Sequence, residues 1–258
     1  SNTRFLPERR IFGAALDVDG SLFNFPYLGI ETFAGNLANF DVLGTRLYAR
    51  PLAAQDLPVL KNLQVGTTAA TDLDPYRYAG TEFVDAMGDA DPVSMFGVDA
   101  RLPIISNPAL SLSAYSDLAF QPKGRWGSMA GAGGVAFGFL LYQAQLRLLG
   151  PDFVPTYFDG AYDLFRHIKY LSMAEDPSGD PYAGWLAGLG FTFLSNAVVF
   201  NTTVDGPFKR PPEEVLEAGI ADYPHLRSTF TLAEGILAGF SFQALYEKYF
   251  RSEERRVG

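Results

Sequence analysis

The chain has no cysteine, so neither a disulfide framework nor a thiolate metal site is open to it. Histidine is almost missing: His167 and His225 are the two copies. They stand far apart, in segments that read as loops, and no Glu-x-x-His or His-x-x-x-His spacing involves them. No metal and no cofactor are therefore expected, and nothing points to histidine-based catalysis. Long hydrophobic runs are lacking as well. The apolar run Val135 to Tyr142 falls far short of the roughly 20 residues a membrane helix needs. Charge is sparse, at 19% of residues against the quarter typical of soluble domains. It sums to −9, which argues against nucleic acid as a partner.

Apolar material is plentiful but thinly spread. Hydrophobic residues make up 48% of the 258, with 22 Phe, 13 Tyr and 26 Gly. Such material in many short segments suits a β-barrel or sandwich. Leu110 to Gln121 shows the pattern best. Leu110, Leu112, Ala114, Leu118 and Phe120 fall on one face of a strand; Ser111, Ser113, Tyr115, Asp117 and Gln121 fall on the other. A dyad repeat of about 10 residues can cross a bilayer as a tilted strand.

The repeat recurs. Leu43, Leu47 and Ala49 oppose Arg46, Tyr48 and Arg50. Phe96, Val98, Ala100 and Leu102 oppose Asp99 and Arg101. Leu140, Tyr142, Ala144, Leu146 and Leu148 oppose Gln143, Gln145 and Arg147. Trp185, Ala187, Leu189, Phe191 and Phe193 oppose Gly188, Gly190 and Thr192. Val198, Phe200 and Val204 oppose Asn201, Thr203 and Asp205, and Phe240 and Phe242 oppose Ser241 and Gln243. With weaker segments at 11–19, 27–35, 60–71, 126–138 and 228–236, the pattern predicts about 12 strands.

Connections alternate too. Short turns fall at Gly20 to Pro26, Ser106-Asn107-Pro108, around Phe139, at Ser195-Asn196 and at Ala238-Gly239. Longer links fall at 72–93, 122–125, 150–184 and 205–227. Short turns on one rim and long loops on the other predict an all-β, antiparallel, up-and-down transmembrane β-barrel. By the same parity the first strand starts, and the last strand ends, on the long-loop rim. An even-stranded barrel has both termini on the short-turn side, so an open or incomplete barrel is expected. The tail Arg251 to Gly258 resembles a translated sequencing adapter. The domain reading is thus one barrel at 9–250 and an artefactual tail at 251–258.

One segment breaks the pattern. Phe158, Ala161, Tyr162, Phe165 and Ile168 are spaced as on a helix. Tyr157 to Met173 reads either as a helix folded over or into the barrel mouth, or as the extended tip of a strand. Glu213 to Gly219, after Pro211-Pro212, is a second helical turn.

Motifs are weak. Asp17-Val18-Asp19-Gly20 lacks the remaining ligands of a calcium loop and reads as a turn leaving a strand. Asp72-Leu73-Asp74-Pro75 and Glu175-Asp176-Pro177 read as acidic loops with weak cation affinity at most. Gly131-Ala132-Gly133-Gly134 has no phosphate-loop lysine; in a strand, such glycines admit a bulky neighbour or a plug. No serine sits in G-x-S-x-G, so no enzyme is expected. What remains is a set of polar-face residues: Arg46, Arg50, Asp99, Arg101, Tyr115, Asp117, Gln143, Gln145, Arg147, Asn201 and Asp205. In a barrel these line the lumen, because Arg or Lys facing lipid at mid-depth costs about 2–4 kcal/mol. Tyr27, Tyr48, Trp126, Tyr142, Trp185, Tyr246 and Tyr249 fall near strand ends, where interfacial girdles belong.

In alternation, loop parity and low charge density, residues 9–250 resemble bacterial outer-membrane β-barrels of the porin-like or transporter type. No family-specific motif matches, so no residue roles are carried over. The aromatic end, Phe250, matches the ending by which such barrels are recognised, while Lys248 departs from it. The resemblance implies an outer-membrane location, with the lipid bilayer and the barrel-assembly machinery as partners. It also implies passage of small solutes through a passive channel or transporter. Two alternatives stand beside it: a non-conducting barrel for adhesion or envelope structure, and a soluble all-β binding protein.

Overall fold

A computed structural model describes residues 14–35, 40–155, 157–158, 162–174, 176–194, 197–209, 224–237 and 240–249. The helical turn expected at 213–219, the tail from 251 and Phe250 lie outside the described residues.

Twelve strands form one sheet in chain order, every neighbouring pair antiparallel. They are β1 (Ala14–Asp19), β2 (Leu28–Ala34), β3 (Val42–Ala49), β4 (Gln64–Asp72), β5 (Val93–Ser106) and β6 (Ser111–Phe120). Then follow β7 (Trp126–Ala136), β8 (Leu140–Leu149), β9 (Tyr182–Phe193), β10 (Val198–Pro207), β11 (His225–Leu237) and β12 (Phe240–Tyr249). Each corresponds to one expected strand. Two α-helices are present among the described residues, α1 (Thr81–Met87) and α2 (Tyr162–Ala174). Among those residues β1 and β12 pair with no strand on their outer sides, so the sheet is open.

Register assigns the faces. Glu31 opposes Arg46 and Arg46 opposes Thr68. Further along, Asp99 opposes Asp117, Asp117 opposes Met129 and Met129 opposes Arg147. Because paired residues share a face and neighbours along a strand do not, these side chains stand on one side of the sheet. The other face carries no Asp, Glu, Lys or Arg at any paired position from β1 to β11. Lys248, near the end of β12, is its one paired charge. That apolar face is the uncovered one: Leu16, Phe96, Leu146 and Leu189 are each about 60% exposed. Leu110, Phe120, Phe191 and Phe193 are exposed too. A soluble β domain packs such faces into a shared core, and this sheet does not.

The connections explain the register. Asn107 closes the β5–β6 turn, its Oδ1 accepting from the N–H groups of Ala109 and Leu110 at 3.0 and 2.8 Å. Phe137 (φ 56°) and Gly138 (φ 75°) turn β7 into β8 through left-handed backbone. Pro103 has no N–H to donate, and the β5–β6 register slips between Pro103 and Ile105. Asp19 caps a 3-10 turn by accepting from the Ser21 N–H at 2.9 Å, so Asp17 to Gly20 is a turn. Rim parity is less even than the sequence suggests. The short-turn rim carries the longer link 50–63, and the long-loop rim carries the tight link 121–125.

Three expectations need correction. Tyr48 stands on the polar face, 6% exposed between Arg46 and Arg50, and belongs to no girdle. His225 opens β11 and sits 3.1 Å from Asp205 through Nδ1, so it is a strand residue. Within the segment Tyr157 to Met173, α2 (Tyr162–Ala174) is a helix rather than a strand tip, but with a different buried side. Tyr162, Arg166 and Met173 are buried, while Phe165 and Ile168 are exposed. Ion pairing of Arg166, described next, fixes that rotation.

Candidate functional site

The polar face curves around a space of about 730 Å³ whose wall runs from β2 to β8. Arg46 is central to it. Its guanidinium forks onto Asp99 at 2.9 and 2.6 Å and reaches Glu31 at 2.7 Å. Bidentate geometry of this kind holds a planar cation in one orientation. It depends on Gly66, opposite Asp99 in the ladder: a Cβ there would meet Asp99 Oδ2 at 2.4 Å and Arg46 Nε at 2.9 Å.

Across the same wall, the Gln145 amide donates to the Tyr115 hydroxyl at 2.8 Å. Arg147 donates to Gln145 Oε1 at 3.3 and 3.1 Å. Arg101, Tyr115, Asp117 and Gln143 line the chamber directly. Arg50 lies beyond it, toward the short-turn rim, where it binds Asp19 at 2.5 Å and the Pro26 carbonyl at 2.9 Å. Asn201 and Asp205 share the face on β10 but do not line this space. The eleven residues thus fall on one face, and six line the chamber or its near rim: Arg46, Asp99, Arg101, Tyr115, Asp117 and Gln143.

Glycines recur along the wall from β7 to β9, and neighbouring side chains fill the space they leave. Gly127, Gly131 and Gly133 of β7, and Gly184, Gly188 and Gly190 of β9, stand on the polar face. The space over Gly131 is taken by Tyr115 and Gln145, and that over Gly188 by Gln143. At Gly127 a Cβ would meet the Phe153 ring at 2.4 Å. A loop residue thus does approach the wall over a glycine, as such strand glycines suggest.

That loop brings in α2. Gln121 binds the Val154 backbone twice, accepting from its N–H at 3.0 Å and donating to its carbonyl at 2.7 Å. Tyr162 and Met173 of α2, with Tyr157, pack on Val42 and Val93 of the polar face. Arg166 is 1% exposed. Its Nε donates to Asp72 at 2.5 Å, its Nη2 also binds Asp72, and its Nη1 binds Asp41 at 3.0 Å. The Tyr162 hydroxyl donates to Asp72 at 2.5 Å. Burial, with Asp72 accepting a hydrogen bond from its hydroxyl, holds the Tyr162 phenol above its ordinary range.

Both ends of the loop are tied. At the C-terminus of α2, where unsatisfied carbonyls concentrate negative charge, two cations arrive from the β6–β7 link. Lys123 donates to the Ala174 carbonyl at 2.5 Å, and Arg125 to the Met173 and Ser172 carbonyls at 3.3 and 3.4 Å. Lys123 also pairs with Asp176 at 2.9 Å. Asp152 accepts from the N–H groups of Ser178 and Gly179 at 2.7 and 3.0 Å, and these hold its carboxyl below the ordinary range. Asp72 and Asp176, expected as acidic loop positions with weak cation affinity, therefore meet cations supplied by the chain.

Sequence reasoning missed Asp41 and Arg166, and the pairing of Arg166 with Asp72. A signal existed: Tyr162, Arg166, Tyr170 and Met173 fall at i, i+4, i+8 and i+11, one side of a helix. An arginine amid that apolar stripe asks for a buried acid. Among the described residues no group of three or more His, Asp or Glu is placed to hold a metal ion. Set against family models, curated proteins and solved structures, the chain matches none.

Proposed function

We propose that the chain forms the wall of an outer-membrane channel or small-solute transporter of the passive kind, and is not an enzyme. The observation that carries this is the division of the sheet. Paired positions from β1 to β11 put every charge on one face and leave the exposed face apolar. Water gives no reason for that division, whereas hydrocarbon on one side and solute on the other does. The bilayer is then the partner of the apolar face, and the chamber is the path. Aromatics support the placement. Phe96, Phe120 and Trp126 adjoin in register toward one rim, and Phe191, Phe200 and Phe230 toward the other.

Reconstitution in planar bilayers tests the proposal. Stepwise conductance is expected, and inserted protein that never conducts would sink it. One observation favours a second reading, a non-conducting barrel: α2 is locked onto the wall by a buried ion-pair cluster. Under that reading conductance appears only when the lock is removed.

A further inference from the structure

Three of the five charges that line the chamber are committed to one another: Arg46 is held by Glu31 and Asp99. Two are not. Arg101 of β5 and Asp117 of β6 both line the chamber, and among the described residues neither takes part in a side-chain hydrogen bond or an ion pair. They are diagonal neighbours: Arg101 opposes Tyr115, and Asp117 stands two residues further along the same face. Diagonal neighbours lie about 7–8 Å apart, within reach of a long side chain. Yet the guanidinium and the carboxylate stay apart, with open space of about 730 Å³ before them. Asp99, beside Asp117, has both oxygens engaged by Arg46, so its charge is already compensated.

We infer that the chamber binds small zwitterions, amino acids or short peptides, with the solute carboxylate on Arg101 and its ammonium on Asp117. A guanidinium suits a carboxylate through paired N–H donors. The Tyr115 hydroxyl accepts from Gln145 and keeps its own proton to donate to the solute carboxylate. A simple anion satisfies Arg101 but faces Asp117, and a simple cation satisfies Asp117 but faces Arg101. Each leaves one wall charge partly desolvated and unpaired, so discrimination comes from repulsion as well as attraction. The inference deepens the channel reading, since a solute must reach the chamber, yet binding needs no conduction.

Calorimetry on the purified full chain in detergent, with glycylglycine, acetate and methylammonium as probes, reads this directly. Glycylglycine is expected to bind at least about tenfold more tightly than either single ion. Arg101→Gln and Asp117→Asn should each remove about tenfold of that affinity, and Arg101→Lys should recover part of it. Equal affinity for the three probes, or glycylglycine affinity untouched by both changes, overturns the inference. If a variant fails to fold, the ranking of probes on the unaltered protein still decides. Liposome swelling separates the two readings. Binding without solute entry sinks the channel alone; entry without zwitterion preference sinks the site alone.

Discussion

Arg166 is the side chain on which the inner structure most depends. It is buried against two carboxylates, Asp72 and Asp41, themselves nearly inaccessible. Removing one partner of a buried pair costs about 3–5 kcal/mol, because the remaining charge is left without compensation. Arg166→Met is therefore expected to free α2 while leaving the sheet intact. Amide exchange by mass spectrometry should speed up across 162–174 and stay slow in β3 to β5; unchanged exchange in α2 would refute the account. If the lock closes a path, conductance should rise in the same variant. Gly66 is the complementary case. Gly66→Ala pushes a methyl into the Arg46–Asp99 fork and is expected to cost about 1–3 kcal/mol in denaturant unfolding. Alternation could not reveal either residue. It says which face a side chain takes, not which loop charge will meet it, and the partners here are 94 and 125 positions apart.

Strands were the most legible elements. Twelve alternating segments became twelve strands, since a period of two with β-branched and aromatic residues suits a pleated surface. Boundaries moved where local chemistry intervened: β5 runs on through Pro103 by a register slip, and β11 begins at His225. The helix was legible in period but not in phase, because an ion pair outweighed the exposed Phe165 and Ile168. Leu189 on β9 tests the face assignment. It is 58% exposed, so in water Leu189→Arg should cost almost nothing. Facing lipid, it should cost about 2–4 kcal/mol, read as lost folded yield in bilayers. The loop around α2 has its own pH signature. The Asp152 carboxyl is depressed in the folded chain, so its clasp contributes above the unfolded value of about 3.9 and is lost as pH falls through the lower folded one. Proteolysis within 150–181 should accelerate only on strong acidification. Asp152→Asn should weaken that dependence, leaving the share that comes from Asp176 and Lys123.

At the scale of the whole molecule, the open sheet sets the behaviour. The outer edges of β1 and β12 have no strand against them among the described residues. In hydrocarbon each uncovered backbone group costs several kcal/mol, so the edges must be satisfied. Cross-linking in bilayers is expected to trap associated chains in proportion to protein density. Monomers whose β12 amides are fully protected would mean instead that the two edges meet. Neither outcome could be read from the sequence, because alternation specifies faces and is silent about edges. The glycines on the inner wall of β7 and β9 carry a different consequence. A Cβ at 127, 131, 133, 184, 188 or 190 would come within 3 Å of a neighbouring ring, side chain or carbonyl, so none of these positions has volume to give. This stretch of wall can be recharged but not re-spaced. Descendants of this chain should therefore differ at its polar positions before they differ at these six glycines.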